Sequence, residues 1–210
     1  FPALEHAGRG RDFMGFVDDD PGKQGSTLLG YPILGLGRWL DGRAGEVEVL
    51  IVIGEPTVRR RIAERLSGQG HVFASLVHPS VQSTPWVAVG CGTIVMANCS
   101  FTVDINVGEH VVFNPGCTVA HDVEVGDFAY ISPGVDLAGG VRVGEGAHLG
   151  TGATVLPQRE IGHGLGDRGI AEHLDCGVER LRQARSGQAH RDAQHGRRHH
   201  RGLHELQQAH

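Results

Sequence analysis

Aromatic side chains are scarce in this chain, 5% of 210 residues. That scarcity argues against a bulky globular core built on stacked rings. No apolar run approaches the roughly 20 residues that a membrane-spanning helix needs, and no charged-then-apolar leader is present, so no membrane partner is expected. The four cysteines (Cys91, Cys99, Cys117 and Cys176) make no CxxC spacing, which excludes the common zinc motifs. A reducing, cytoplasmic setting is the default. A formal net charge of −5 gives no reason to expect nucleic acid as a partner. Glycine, by contrast, is abundant: 33 of 210 residues, about twice ordinary usage. Such a composition favours tight, repeated backbone turns in a single large domain or two modest ones.

A six-residue ruler explains the glycine. Counting in sixes from Val89 gives Val95, Phe101, Val107, Phe113, Val119, Val125, Ile131, Leu137, Val143, Leu149, Val155 and Ile161, all apolar. Two residues before each lies a second set of mostly small or β-branched residues, running from Val87 through Cys99, Cys117 and Ala129 to Ala153. Val/Ile-Gly recurs at a constant interval, at 89–90, 107–108, 125–126, 143–144 and 161–162. A helix also returns to phase at that interval, but the glycines and Pro115, Pro133 and Pro157 would break it. Short strands joined by turns fit instead. Three six-residue sides make one coil of a triangular prism, coils stack at roughly 4.8 Å, and alternate side chains fill the interior. Glycine or asparagine serves the corners that need positive φ. Cys99 and Cys117 stack one coil apart as small inward fillers.

The earlier residues read differently. "DFMGFVDDDP" (12–21) is a strand ending in acids, and "VEVLIVIG" (47–54) is a buried-type strand. "PTVRRRIAERLSGQG" (56–70) is a helix with Val58, Ile62 and Leu66 on one face, and "HVFASLVHPS" (71–80) is a further strand. Strand, helix and strand at these lengths make a small parallel α/β unit.

"GFVDDDP", "IVIG", "LVHPS" and "HDVEVGD", in that order, carry a resemblance. The chain resembles the hexapeptide-repeat acyltransferases. Within them it resembles the sugar O-acyltransferases of the sialic-acid O-acetyltransferase type, a group that includes nucleotide-aminosugar N-acetyltransferases. The implied fold is mainly β: a left-handed parallel β-helix over 81–164, preceded over 1–80 by a truncated small α/β (Rossmann-like) domain. The left hand comes from the resemblance, since spacing alone does not give it and parallel crossovers are usually right-handed. Relatives open with a strand and a glycine-rich nucleotide loop that has no counterpart before Phe1, so the chain is read as truncated there.

The resemblance also implies a function: an acyl-CoA-dependent transferase, with acetyl-CoA as co-substrate and no metal, that acylates an amine or hydroxyl of a sugar or nucleotide-sugar. It further implies a homotrimer with active sites between prisms, working in bacterial surface-glycan synthesis. His121 is the implied general base and Asp122 the acid that orients it. Imidazole as a group titrates near neutrality, and a carboxylate on its second nitrogen fixes the tautomer. Asp18, Asp19 and Gly54 are the implied nucleotide-sugar contacts. The carboxylates serve equally as turn residues. Asn114, Tyr130, Gly139, Gly140 and Thr151 are the implied acyl-CoA contacts. Tyr130 stands where relatives often carry a histidine that hydrogen-bonds the thioester carbonyl, a bond a phenol can also donate. Corner asparagine and turn glycine are the structural alternatives for Asn114, Gly139 and Gly140. A zinc site built on His110, His121 and His148 is disfavoured by their spacing. The competing reading of the whole is a non-catalytic or inactive β-helix protein, a truncated gene product or structural partner.

The ruler stops at Ile161. Residues 165–210 are an atypical Arg/His-rich tail with a helix conceivable near 171–185. The tail is open to three readings: a basic anion-binding segment, a disordered appendage, or a shifted reading frame. The frame shift is the favoured one.

Overall fold

The computed structural model describes residues 13–164. The tail at 165–210 and the helix expected near 171–185 lie outside the described residues.

From Leu76 onward the chain builds three parallel sheets, visiting each in turn. The first face stacks Val87–Val89, Ile105–Val107, Glu124–Val125, Arg142–Val143 and Glu160–Ile161. The second stacks Leu76–Val77, Ile94–Val95, Val112–Phe113, Tyr130–Ile131 and His148–Leu149. The third stacks Ser100–Phe101, Thr118–Val119, Asp136–Leu137 and Thr154–Val155. From the Val87 coil onward, Cα partners keep the interval of the Val/Ile-Gly mark on every face, as in Val107 with Val125 and Phe113 with Ile131. The result is a parallel β-helix of triangular section.

Both ladders of the ruler point inward. Val111, Phe113, Cys117, Val123, Ala129, Ile131, Val135, Val141 and Val143 are wholly buried in one continuous core. Cys99 and Cys117 belong to it, and both thiols donate to the Asn114 carbonyl, at 3.2 and 3.1 Å. Thr93 is the polar member of the inner set. Its hydroxyl donates to the Gly108 carbonyl at 2.7 Å and accepts from the Val111 N–H at 3.0 Å, so its burial leaves nothing unpaired.

Positive φ recurs once per six-residue side from Gly92 to Gln158. Half of these corners are glycine. The others are Asn98, Asp104, His110, Asp122, Phe128 and Gln158. The Val/Ile-Gly mark has a separate cause. A Cβ at Gly126 would lie 2.6 Å from the Glu145 nitrogen, and one at Gly144 would lie 2.8 Å from the Gly162 carbonyl carbon. Successive coils approach backbone to backbone at this corner, and only glycine leaves room.

The α/β unit stands beside the prism. Glu48–Val49 pairs in parallel with Val72–Phe73 across helix α1 (Pro56–Gly68). Farther upstream, Tyr31–Gly35 pairs in parallel with Phe16–Val17 and antiparallel with Thr27–Leu28. Two expected strands come out differently. In the run 47–54, Glu48–Val49 forms the strand and Val47 an isolated bridge to Ala44, because the partner strand is short and turns away; Val52 and Ile53 are exposed. The run 71–80 is split between two sheets. Val72–Phe73 stays in the α/β unit, while Leu76–Val77 pairs with Ile94–Val95 as the first rung of the second face.

Helix α1 begins with Pro56 at its first position and the Glu55 side chain accepting from the Thr57 N–H, and it ends before Gly70 at positive φ. Its buried face is Arg59, Ala63 and Leu66, one position round from the expected Val58, Ile62 and Leu66. The cause is Arg59, which is wholly buried. Its Nε donates to the His110 carbonyl at 2.8 Å. One terminal nitrogen donates to the Ile53 and Gly54 carbonyls, at 2.7 and 2.9 Å. The other donates to Phe128 and Ala129, at 2.6 and 3.3 Å. All five guanidinium donors are used. Burial brings its pKa down to about 10, which still leaves it charged at neutral pH. Alongside, the His110 ring is stacked on Phe128 at 5.1 Å and set edge-on to Phe73 at 4.6 Å. Burial first, and the Arg59 charge second, push His110 down to about 4.

Two measurements check this account. Gly126→Ala should lower the melting temperature well beyond Gly116→Ala. The first drives a Cβ into backbone, whereas the second meets open space and costs about 1 kcal/mol for its positive φ. Equal losses would refute the close-approach explanation. His110 should also make the fold acid-sensitive. Between about pH 4 and 6.5 the unfolded chain carries a proton on this imidazole that the folded chain lacks. Its contribution is therefore complete above pH 6.5 and declines by roughly 2–3 kcal/mol as the pH falls to 4. In denaturant titrations, His110→Asn should flatten that decline, and an unchanged slope would exclude His110 as its source.

Candidate active site

His121 and Asp122 occupy the corner between the third and first faces. Asp122 is the positive-φ residue there, and its N–H donates to the Val103 carbonyl of the preceding coil at 3.1 Å. His121 Nδ1 lies 2.8 Å from Asp122 Oδ2. Against a carboxylate Nδ1 is the donor, and in a neutral ring so held Nε2 presents the lone pair. Both side chains are nearly two-thirds exposed, so nothing in the core requires them. One coil later lies Gly139. A Cβ there would come within 2.6 Å of His121 Cε1 and Nε2. The imidazole thus lies across the bare backbone of Gly139, while the Gly140 N–H donates to the His121 carbonyl at 2.9 Å.

A groove of about 510 Å³ runs lengthwise beside this pair. One wall is the corner column Asp104, Asp122, Gly140 and Gln158, and the other is the first-face column Asn106, Glu124, Arg142 and Glu160. Arg142 is the cation among these residues, 3.1 Å from Glu160 and 4.0 Å from Glu124. Four carboxylates against one guanidinium leave the groove acidic.

Gly54 and Tyr130 meet elsewhere. Tyr130 stands on the second face, and a Cβ at Gly54 would touch its ring at 3.4 Å and its hydroxyl at 3.8 Å. Asn114 ends the second-face rung one coil earlier, and its side-chain amide donates to the Ile131 carbonyl at 2.9 Å. Thr151 is exposed at the corner between the second and third faces. Asp18 is bound by Lys23 at 2.7 Å, which holds its carboxyl below the usual carboxylate range, and it also accepts from the Asp20 N–H. Asp19 accepts from the Gly37 N–H at 2.6 Å. Both acids therefore serve the local backbone around the end of their strand.

In a three-sided prism the corner between the third and first faces is opposite the second face. One chain therefore brings His121, Asp122, Gly139 and Gly140 together, and Gly54 and Tyr130 together, but keeps the two groups on opposite sides. Among the described residues, no group of three or more His, Cys, Asp or Glu could hold a metal ion. His110, His121 and His148 stand at one corner, a second corner and a face.

The sequence reading missed Arg59, Arg142 and the pairing of His148 with Tyr130. The last was recoverable, because the two hold the same position in adjacent coils and so stack. Arg59 left no signal, since its partners lie far away along the chain, at His110, Phe128 and Ala129.

No protein-family model matches the sequence, and a comparison with curated proteins finds no match. Solved structures do match. The acetyltransferase domain of PglB from Neisseria gonorrhoeae, in complex with acetyl coenzyme A, shares 31% identity at a TM-score of 0.69, over 77% of this chain and 79% of that one. PerB from Caulobacter crescentus, in complex with CoA and GDP-perosamine, shares 31% identity at a TM-score of 0.71, over 77% and 76% of the two chains. This chain belongs to the same acetyltransferase family. A further structure of perosamine N-acetyltransferase from Caulobacter crescentus also matches at 31% identity, with a TM-score of 0.70 and the same coverage. The acetyltransferase has no described helix long and apolar enough to cross a membrane.

Gly139→Ala tests the placement of His121 in this acetyltransferase. The added methyl should displace the exposed imidazole from the Gly139 backbone and, with His121 as the base expected from the sequence, lower turnover at least tenfold without changing the melting temperature. Unchanged turnover would show that the ring does not need this position.

Proposed function

We propose that this protein transfers an acetyl group from acetyl-CoA to the amine of a nucleotide-linked sugar, with His121 as general base and Asp122 as its orienting acid. The 2.8 Å bond between His121 Nδ1 and Asp122 Oδ2 carries the reading, since it leaves Nε2 of the neutral ring to take a proton at an exposed corner. The neighbours solved with acetyl coenzyme A, and with CoA and GDP-perosamine, support both substrates. The amine is favoured over a hydroxyl, as in the sialic-acid O-acetyltransferase type, on two grounds. The similar enzyme from Caulobacter crescentus is an N-acetyltransferase, and the acidic groove draws a cationic amine toward Asp122.

The ammonium first releases one proton to solvent, and the neutral amine nitrogen then attacks the thioester carbonyl carbon while His121 Nε2 takes its second proton. Asp122 stabilises the imidazolium that forms. The tetrahedral intermediate then collapses, the C–S bond breaks, and the imidazolium returns its proton to the departing CoA sulfur. Atoms and charge balance within a ternary complex, and no covalent enzyme intermediate is needed. Gly139 and Gly140 offer bare backbone to the uncharged pantetheine arm. Asn114, Tyr130 and Thr151 are reached from the adjoining prism of a homotrimer, which brings the second face of one chain to the His121 corner of the next. Gly54, Asp18 and Asp19 are assigned to the nucleotide-sugar acceptor. We take the β-helix to be left-handed and the setting to be cytoplasmic synthesis of surface glycans, where acetyl-CoA is at hand.

The test is CoA release from acetyl-CoA with a panel of GDP- and UDP-linked amino sugars. His121→Ala should lower kcat by about 10²–10⁴-fold with an unchanged melting temperature and mass in solution. Near-normal turnover would remove His121 as the base.

A further inference from the structure

The chain has two tryptophans, and they stand in opposite settings. Trp39 is packed, with Arg43 over its ring at 4.4 Å and the Gly35 backbone against it. Trp86 is 64% exposed, and no described residue gives its ring an aromatic, cationic or hydrogen-bonding partner. Its backbone is nevertheless fixed. The Trp86 carbonyl accepts from the Ile105 N–H at 3.3 Å, the Val87 N–H donates to the Thr84 carbonyl at 3.2 Å, and Pro85 precedes the indole. A single exposed apolar residue needs no explanation by itself. The place of Trp86 does.

Val87 pairs with Ile105, and Asn106 with Glu124, so Trp86 stands one coil before Asp104 and two coils before Asp122 in a single corner column. Asp104, Asp122, Gly140 and Gln158 of that column form one wall of the groove, and Asn106 and Glu124 belong to the other. Trp86 therefore heads the wall at its upstream end, roughly 10 Å along the axis from Asp122. The two ends of the groove serve different substrates under the contacts assigned above. The acyl-CoA contacts Gly139, Gly140 and Thr151 follow His121 along the axis, and Asn114 and Tyr130 lie within half a coil of its level. The acceptor contacts Gly54, Asp18 and Asp19 belong to the α/β unit, which enters the prism through Leu76–Val77 at the upstream end and docks on it at His110 and Phe128. Copies related by an axis along the prism keep these levels, so the order holds whichever copy supplies the α/β unit. Acyl-CoA thus comes to His121 from downstream and the acceptor from upstream, past Trp86, Asp104 and Asn106.

The groove also selects which part of the acceptor meets the indole. Asp104, Asp122 and Glu124 are carboxylates, and Arg142 is held by Glu160 at 3.1 Å, so a diphosphate is repelled there and an amino sugar is not. A pyranose has an apolar C–H face that lies flat on an indole, and hydroxyls that bond to a carboxylate or a side-chain amide. Resting on the nucleotide-sugar acceptor proposed above, we infer that Trp86 stacks on the pyranose ring of the acceptor, with Asp104 and Asn106 taking its hydroxyls, and helps set which sugar is accepted. Trp86 touches the sugar, takes no part in proton transfer and does not touch acetyl-CoA.

The experiment pairs kinetics with direct binding. KM is measured for acetyl-CoA and for the best acceptor of the GDP- and UDP-amino-sugar panel, in the full chain and in Trp86→Ala and Trp86→Phe. Trp86→Ala should raise the acceptor KM about tenfold, the loss of one stacked ring, with KM for acetyl-CoA, melting temperature and mass in solution unchanged. Trp86→Phe, which keeps a ring face, should recover most of that loss. Indole fluorescence of the unmodified chain should change when the acceptor is added without acetyl-CoA. Trp86→Phe leaves Trp39 as the one indole and should abolish the change, and free GDP or UDP should produce little of it. An unchanged acceptor KM in Trp86→Ala overturns the inference. So does a rise shared equally by acetyl-CoA, or a fluorescence response to the free nucleotide as large as that to the nucleotide-sugar. A lower mass in solution for Trp86→Ala overturns it in favour of a contact between copies. Absence of turnover by the unmodified chain with every member of the panel overturns the acceptor reading and this inference together, whereas turnover with an indifferent Trp86→Ala overturns the inference alone.

Discussion

Each coil donates its backbone N–H groups to carbonyls of the coil that follows, as Ile94 does to Val111 and Asn106 does to Val123. Everything else in the prism depends on that constant register. It forces each side chain to stand over its counterpart one coil away, so columns, rather than sequence neighbours, become the units of packing and of chemistry. An insertion of one residue in any coil would turn the inward set of that side outward. The register survives because each six-residue side carries one corner at positive φ, and because glycine keeps one corner free of Cβ atoms where coils touch. His121 inherits its place from the same rule. It lies over Gly139 because both hold the same position in adjacent coils.

The prism alone would leave the α/β unit unattached, and Arg59 supplies the attachment. A buried guanidinium without a carboxylate is costly unless its donors are satisfied, and here five carbonyls do so. Three come from the prism at His110, Phe128 and Ala129, and two from the loop at Ile53 and Gly54. The same contact therefore fixes the docking and the distance from Gly54 to Tyr130. Lysine could not replace it, since a point charge with three donors cannot span carbonyls arranged in a fork. Around it, Arg60 lies over the Phe128 ring at 4.7 Å and pairs with Glu145, so the corner is held by stacked rings and charges together.

The inward ladders, the three-sided coil, the corner glycines and the His121–Asp122 pair were all legible in the sequence. They are local or strictly periodic, and a residue's face follows from its place in the count. Arg59 was not legible. It sits among three consecutive arginines on a polar helix, and only the meeting of two units reveals that one of the three points inward. The end of the 47–54 strand was hidden for a related reason. Hydrophobic residues mark what a strand would bury, but pairing needs a neighbour, and among the described residues Val72–Phe73 is the strand beside it before the chain leaves to begin the prism. Asp18 and Asp19 show another case: their position after a strand fits both a ligand contact and a turn, and in this chain Asp18 accepts from the Asp20 N–H and Asp19 from the Gly37 N–H.

The division of labour between corner and face follows from geometry. The base proposed at His121 must be exposed and yet held. A corner at positive φ provides both, since Asp122 is turned back toward His121 while neither side chain is packed. A flat face repeats one residue every coil, and on the second face this sets His148 edge-on to Tyr130. A three-sided prism cannot offer its own second face to its own opposite corner. In the proposed homotrimer, copies packed side by side do so, and each copy sets its His121 corner against the second face of the next. On this view assembly supplies the one thing the coil register forbids within a chain, which is to bring positions on opposite sides of the prism into reach of one substrate.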